Sequence, residues 1–257
     1  MKNKFVLALA LSLVCARGAA IATEPFDPDS YARADRESKF VVVQGFDGAE
    51  REKVERECVA IVRGLAERYG KPRYWRVFPV RFAPGKGGAI AGYTSYRRPS
   101  VTEVAIFQTF EESRGGTLDH ELTHAFFFHY LESNFDLLLN EGLAQNSETA
   151  NRARLRNWVC ARFQAGDFAP LASLYGSNRY DSGLLMYVEG FGVVDYLLAR
   201  GGSKWFAAFM IDLVEKDDVE ASLRRFYGIA SLDALEREWL EYVAEGQNRA
   251  TVRAVGR

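Results

Sequence analysis

Two histidines four residues apart, with a glutamate beside the first, are the residues of this 257-residue chain best placed to do chemistry. In His120-Glu121-Leu122-Thr123-His124, helical geometry puts both imidazoles on one face, where they can grip a single ion. Glu121 projects about 100° further round the axis, toward the place where a water would be activated. Catalytic zinc usually takes three protein ligands, so a third donor is needed. His129, Glu132, Asp136 and Glu141 are the candidates. His129 is rotated off the metal-facing side and reads as a partly exposed histidine near the helix end. It also misses the H-x-x-G-x-x-H continuation of the metzincins. Glu132 and Asp136 fall in a turn, where charges are normally solvated. Glu141 lies between Leu137-Leu138-Leu139 and Gly142-Leu143-Ala144, on a helix apolar nearly all round. An unpaired carboxylate buried there would be costly, and coordination to a cation relieves that cost. Gly142 lets another element approach closely.

Several elements must position these residues. Residues 23–38, polar and with two prolines, read as an extended surface segment. A β-branched strand over Lys39 to Phe46 and an amphipathic helix over 49–69 follow. Three strand-like stretches come next, Tyr74 to Phe82, Ala89 to Tyr96 and Val101 to Phe107. From Thr117 the periodicity is helical, over 117–131, 135–150, 152–164, 183–200, 203–215 and 231–245. The basic tail from residue 246 to 257 reads as frayed. The fold class is α+β: a sheet part over about 39–112 and a helical part over about 113–245 of one domain spanning 23–257. Ser113, Gly115, Gly116 and Thr117 open the histidine helix, and Ala125, Phe126 and Phe127 pack behind it.

Composition excludes other classes. With 33 Lys+Arg against 34 Asp+Glu and no long basic run, nucleic acid is a poor partner. No G-x-S-x-G occurs, and only His129 would remain as a base for a serine hydrolase. Lys2 and Lys4 precede an apolar run from Phe5 to Ala16, and small residues follow, a pattern that reads as an export signal over residues 1–22. The run is too short for a membrane span, which takes about 20 residues. A lipid anchor at Cys15 is disfavoured by bulky Val14. The mature chain would be mildly acidic and periplasmic or secreted. It retains Cys58 and Cys160, either a disulfide in an oxidising compartment or two buried thiols.

His120-Glu121-Leu122-Thr123-His124 followed by Asn140-Glu141-Gly142-Leu143-Ala144 resembles the gluzincin metallopeptidases, in particular the bacterial peptidase MA-like and aminopeptidase-like branches. The resemblance covers about residues 101–200. It implies a zincin-like fold, with a small twisted sheet above an active-site helix and a helical half carrying the glutamate. It implies one Zn2+ per chain on His120, His124 and Glu141, Glu121 as general base, and a peptide or protein substrate. Tyr187-Val188-Glu189-Gly190 resembles the Tyr-x-x-Gly helix in which aminopeptidase-like relatives carry an oxyanion-stabilising tyrosine. Tyr187 is the first choice for that role and Tyr180 the second. Two departures stand out: Glu189 occupies a position that is often Lys, and Gln145 replaces the Asp by which thermolysin-like relatives orient a histidine. The Gln145 amide oxygen could accept the imidazole N–H instead. The strand from Val101 to Phe107 is a candidate to pair antiparallel with an extended substrate. The alternative reading is a gluzincin-fold zinc protein that hydrolyses something other than peptides or has lost catalysis.

Overall fold

Four short β-rich runs assemble into one mixed sheet in the computed structural model, which describes residues 27, 29–88, 90–97, 100–133, 135–176 and 184–255. The strands are β1 (Val41–Gln44), β2 (Phe78–Phe82), β3 (Gly92–Arg97) and β4 (Ser100–Ile106), in the order β1-β2-β4-β3. β1 with β2 and β2 with β4 are parallel, and β3 with β4 is antiparallel. The strand from Val101 is therefore interior, and β3 rather than β4 forms the edge. The expectation that β4 receives a substrate strand is thus corrected, because both sides of β4 already have ladder partners.

The inward face follows from the period-2 alternation. Val43, Val80 and Val104 stand in one row across the sheet, and Thr94 completes it on β3. All four are buried. Helix α1 (Ser30–Glu37) precedes β1, and α2 (Gly48–Tyr69), α3 (Phe110–Ser113) and α4 (Thr117–Leu131) complete the sheet-bearing unit. α2 packs on β1 and α4, and α4 packs on β3 and β4. Over Ser30–Glu37 the α1 helix replaces the extended surface segment expected for residues 23–38, of which 23–26 and 28 lie outside the described residues. Tyr31 and Ala34 lie on one helical face and are buried. Tyr31 meets Phe40 and Trp75, at ring separations of 5.3 and 6.0 Å. The same cluster shortens β2 at its start. The Trp75 main-chain N–H donates to Ser30 Oγ, and its indole N–H donates to the Phe40 carbonyl, at 2.8 and 2.9 Å. These bonds take Trp75 out of any ladder.

The chain divides into two compact units, Met1–Asn134 and Phe135–Arg257, so α4 belongs with the sheet. Every regular element among the described residues of the second unit is a helix: α5 (Leu137–Ser147), α6 (Arg152–Ala165), α7 (Leu171–Leu174), α8 (Leu184–Gly201), α9 (Ser203–Lys216), α10 (Val219–Tyr227) and α11 (Leu232–Val255). Its core is the crossing of α5 and α8. A Cβ on Gly142 would stand 2.1 Å from the Gly190 carbonyl oxygen, so the two main chains touch there. Asn146 spans the same crossing, its amide donating to the Gly142 and Phe191 carbonyls at 2.8 and 2.9 Å. α6, α9 and α11 pack round α8. α10 has no counterpart among the periodic windows. It is short, capped by Asp218 accepting from the Ala221 N–H and ended by Gly228 at positive φ. α11 runs on to Val255 through the tail expected to fray.

The export signal over residues 1–22 and Tyr180 lie outside the described residues. Among those described, no helix is long and apolar enough to cross a membrane. Cys58 and Cys160 form no disulfide. Cys58 is buried on α2, and its surroundings push the thiol pKa well up, chiefly by desolvation, which keeps it protonated.

Candidate metal centre

Helix α4 starts without a side-chain cap at Gly116, but its first turn carries Asp119, whose carboxylate accepts the Gly115 N–H at 2.9 Å. That places a negative charge at the positive end of the helix dipole. From there to residue 129 nearly every side chain is buried, the polar ones included: His120 is 2%, Glu121 0% and His124 1% exposed. Four-residue spacing brings the two rings together at a centroid separation of 4.7 Å and an interplanar angle of 80°. Their Nε2 atoms lie 3.1 Å apart. Two bonds of about 2.0–2.1 Å from these nitrogens to one zinc ion would enclose roughly 100°, close to tetrahedral.

Glu141 lies on α5 and is 0% exposed. His120, His124 and Glu141 each offer one ligand atom, and these atoms all lie within 4.8 Å of one another. This buried group of two imidazoles and a carboxylate can hold a metal ion. The donor set fits a borderline divalent cation, and a cation is what a carboxylate in such surroundings calls for.

Glu121 is held from the sheet side. Thr94 on β3 places its Oγ1 2.8 Å from Glu121 Oε2 and 2.9 Å from the Glu121 carbonyl oxygen. Two residues earlier on the same face, a Cβ on Gly92 would come within 3.1 Å of Glu121 Cγ and 2.9 Å of Thr117 Cγ2. The missing side chain at Gly92 thus lets α4 lie close on β3. Sequence reasoning singled out neither residue. The only trace of them is the strand-like stretch Ala89 to Tyr96, whose alternation places Thr94 on a face without naming its partner.

No family model, no curated protein and no solved structure matches this chain.

The other candidates for the third ligand lie elsewhere. His129 is not a partly exposed helix end but is 0% exposed. The rotation that takes it off the His120–His124 side carries it into the aromatic core of the sheet-bearing unit. There its ring stacks on Trp75 and Phe78, at 4.4 and 5.7 Å. Its Nδ1 donates to the Ala125 carbonyl at 2.8 Å, and Nε2 has no hydrogen-bond partner among the described residues. Desolvation, with a small push from Arg76, lowers its pKa to about 4 against the support of the Ala125 bond, so the ring is neutral. Asp136 is not merely solvated. Its carboxylate caps α5 through the Leu138 N–H at 3.0 Å and also accepts the Gly176 N–H at 2.6 Å. Glu132 ends α4 in a left-handed conformation.

Gln145 is buried, but its amide oxygen has no hydrogen-bond partner among the described residues, so it does not accept an imidazole N–H. Tyr187 is buried on α8, one turn before Gly190. Glu189 is fully buried, and its carboxylate accepts the Ala169 N–H at 3.0 Å. Desolvation raises its pKa to about 7, which the Ala169 bond and Arg162 only partly oppose.

Proposed function

We propose that this chain is an exported zinc metallopeptidase of gluzincin type with a zincin-like fold. The observation that carries the reading is the convergence of His120, His124 and Glu141, with the Glu121 carboxylate on the next position of the same helix. A purely structural metal site has no need of a general base beside its ligand. The donor set favours Zn2+, one per chain, which when bound would lower the pKa of water toward neutrality and polarise a carbonyl.

The protein's own groups do the rest. Glu121 takes a proton from the attacking water and passes it to the leaving amine, a role that requires the carboxylate to be fixed within hydrogen-bond reach of both. Tyr187 is assigned the donation to the developing oxyanion. The edge strand β3 offers its open side to an extended peptide, which would add to the sheet as a further strand. Burial of the three ligands and of Glu121 excludes bulk water, which strengthens each electrostatic contact.

The test combines metal analysis of the purified chain with cleavage of a quenched-fluorescence peptide library. Stoichiometric zinc together with peptide turnover that disappears in Glu121→Gln, while zinc stays bound, is the expected result. Bound zinc without turnover of any peptide would overturn the peptidase reading in favour of a metal protein with another activity or none.

A further inference from the structure

The row of inward residues Val43, Val80, Val104 and Thr94 contains one residue whose chemistry its packing does not require. Valine would fill the same volume as threonine, and three of the four positions are valine. The fourth, on the strand packed against α4, carries a hydroxyl that is 2% exposed. A buried hydroxyl must find a partner or weaken the fold. This one has two acceptors, and both belong to Glu121: Oε2 at 2.8 Å and the carbonyl oxygen at 2.9 Å.

We propose that Thr94 is the positioning residue of Glu121, its hydroxyl donating to Oε2 and so holding the carboxylate in one orientation. The inference rests on the peptidase reading for its kinetic consequence, but not for its geometry. A glutamate side chain turns about three bonds, and a general base that wanders loses the alignment on which proton transfer depends. The Thr94 hydroxyl carries one proton, which can go to Oε2 or to the carbonyl. A carboxylate oxygen accepts more strongly than a carbonyl, so the proton goes to Oε2, and that bond is the one that fixes the side chain. Gly92 completes the arrangement by leaving space for the Glu121 stem beside the strand. Packing alone predicts that Val serves as well as Thr at position 94. Positioning predicts that Ser serves and Val does not.

The experiment compares full-length wild type with Thr94→Val, Thr94→Ser and Glu121→Gln, each measured for zinc content, melting temperature, kcat and KM. The visible spectrum of each cobalt-substituted protein is recorded as well, since it responds to hydrogen bonding around the metal. Thr94→Val is expected to bind zinc at wild-type stoichiometry. Its kcat should fall by about 10- to 100-fold, the usual effect of removing a group that orients a functional side chain, while KM stays within about threefold. Thr94→Ser should recover most of kcat. The cobalt spectrum of Thr94→Val should move toward that of Glu121→Gln, and that of Thr94→Ser should overlay the wild type.

A Thr94→Val protein with wild-type kcat, or a Thr94→Ser protein as impaired as Thr94→Val, would overturn the proposal. If the zinc-loaded wild type cleaves nothing, the peptidase reading falls and the spectra alone decide. A Thr94→Val spectrum identical to wild type then removes the positioning role, and a shifted one restored by Thr94→Ser keeps it. Should Thr94→Val lose its cooperative melt, Thr94→Ala is judged by the same readouts.

Discussion

The two ends of helix α4 bury histidine in opposite ways. At residues 120–124, two imidazoles meet ring nitrogen to ring nitrogen, with a carboxylate on the neighbouring position. Less than two turns later His129 is buried just as deeply, but between Trp75 and Phe78, with one nitrogen spent on a main-chain carbonyl. Burial and residue type are the same, so neither separates a ligand from a core residue. The separation comes from what the nitrogens face. Two ring nitrogens 3.1 Å apart with a carboxylate oxygen in reach can share a cation, whereas a ring stacked among aromatic side chains only loses basicity through desolvation.

The sharpest way to break this contrast is at Glu121. Glu121→Gln keeps shape and burial but cannot accept a proton, so kcat on a cleavable peptide should fall by about 10²- to 10⁴-fold with zinc still bound, as stopped assays and metal analysis on one preparation would show. Next comes the exchange of histidines between roles. His124→Ala should lose stoichiometric zinc at micromolar free metal, while His129→Phe should keep it, by competition with a chromophoric chelator. If both lose zinc, the metal-free fold depends on the aromatic end and the contrast fails.

His129 also predicts a pH dependence. Its folded pKa of about 4 lies below the unfolded value near 6.5, so the unfolded chain binds the extra proton between these limits. The neutral ring is fully compatible with the fold above pH 6.5, and stability is lost as pH falls from 6.5 toward 4. At pH 4.5 this amounts to roughly 2–3 kcal/mol relative to pH 7. Metal-free wild type should therefore lose that much more than metal-free His129→Phe in denaturant titrations at the two pH values. A smaller test concerns the helix that carries Glu141. Gly142→Ala should destabilise by about 1–3 kcal/mol, because the new methyl meets a main-chain oxygen that cannot swing aside. A melting temperature equal to wild type would show that α5 and α8 can separate slightly without harm.

Much of the site could be read from residue spacing, because helical geometry converts an interval of four into a shared face wherever the helix lies. Glu141 was accessible for another reason: a carboxylate inside an apolar helix poses an energetic problem that few partners solve. Thr94 was not accessible. Alternation in β3 gives its face, but the strand order β1-β2-β4-β3 that brings it beneath Glu121 depends on pairings between residues far apart in the chain. The burial of His129 is hidden in the sequence on the same ground, since the cluster that receives its ring draws on Trp75 and Phe78, about fifty residues away along the chain. Among the helices, those with several turns of apolar periodicity were legible. α1, α3, α7 and α10 were not: α3 and α7 are single turns, while α10 does carry Val219, Leu223, Phe226 and Tyr227 at helical spacing. In α3 the Thr109–Glu112 capping box carries the signal instead.

At the meeting of Gly142 and Gly190 the closest atoms are main chain on both sides, with Val194 Cγ2 the next nearest. Van der Waals contact between the two main chains therefore sets how closely those two helices can lie. The residue immediately before Gly142 inherits that fixity. Amide protons around this contact should accordingly be among the slowest in the helical unit to exchange with deuterated solvent.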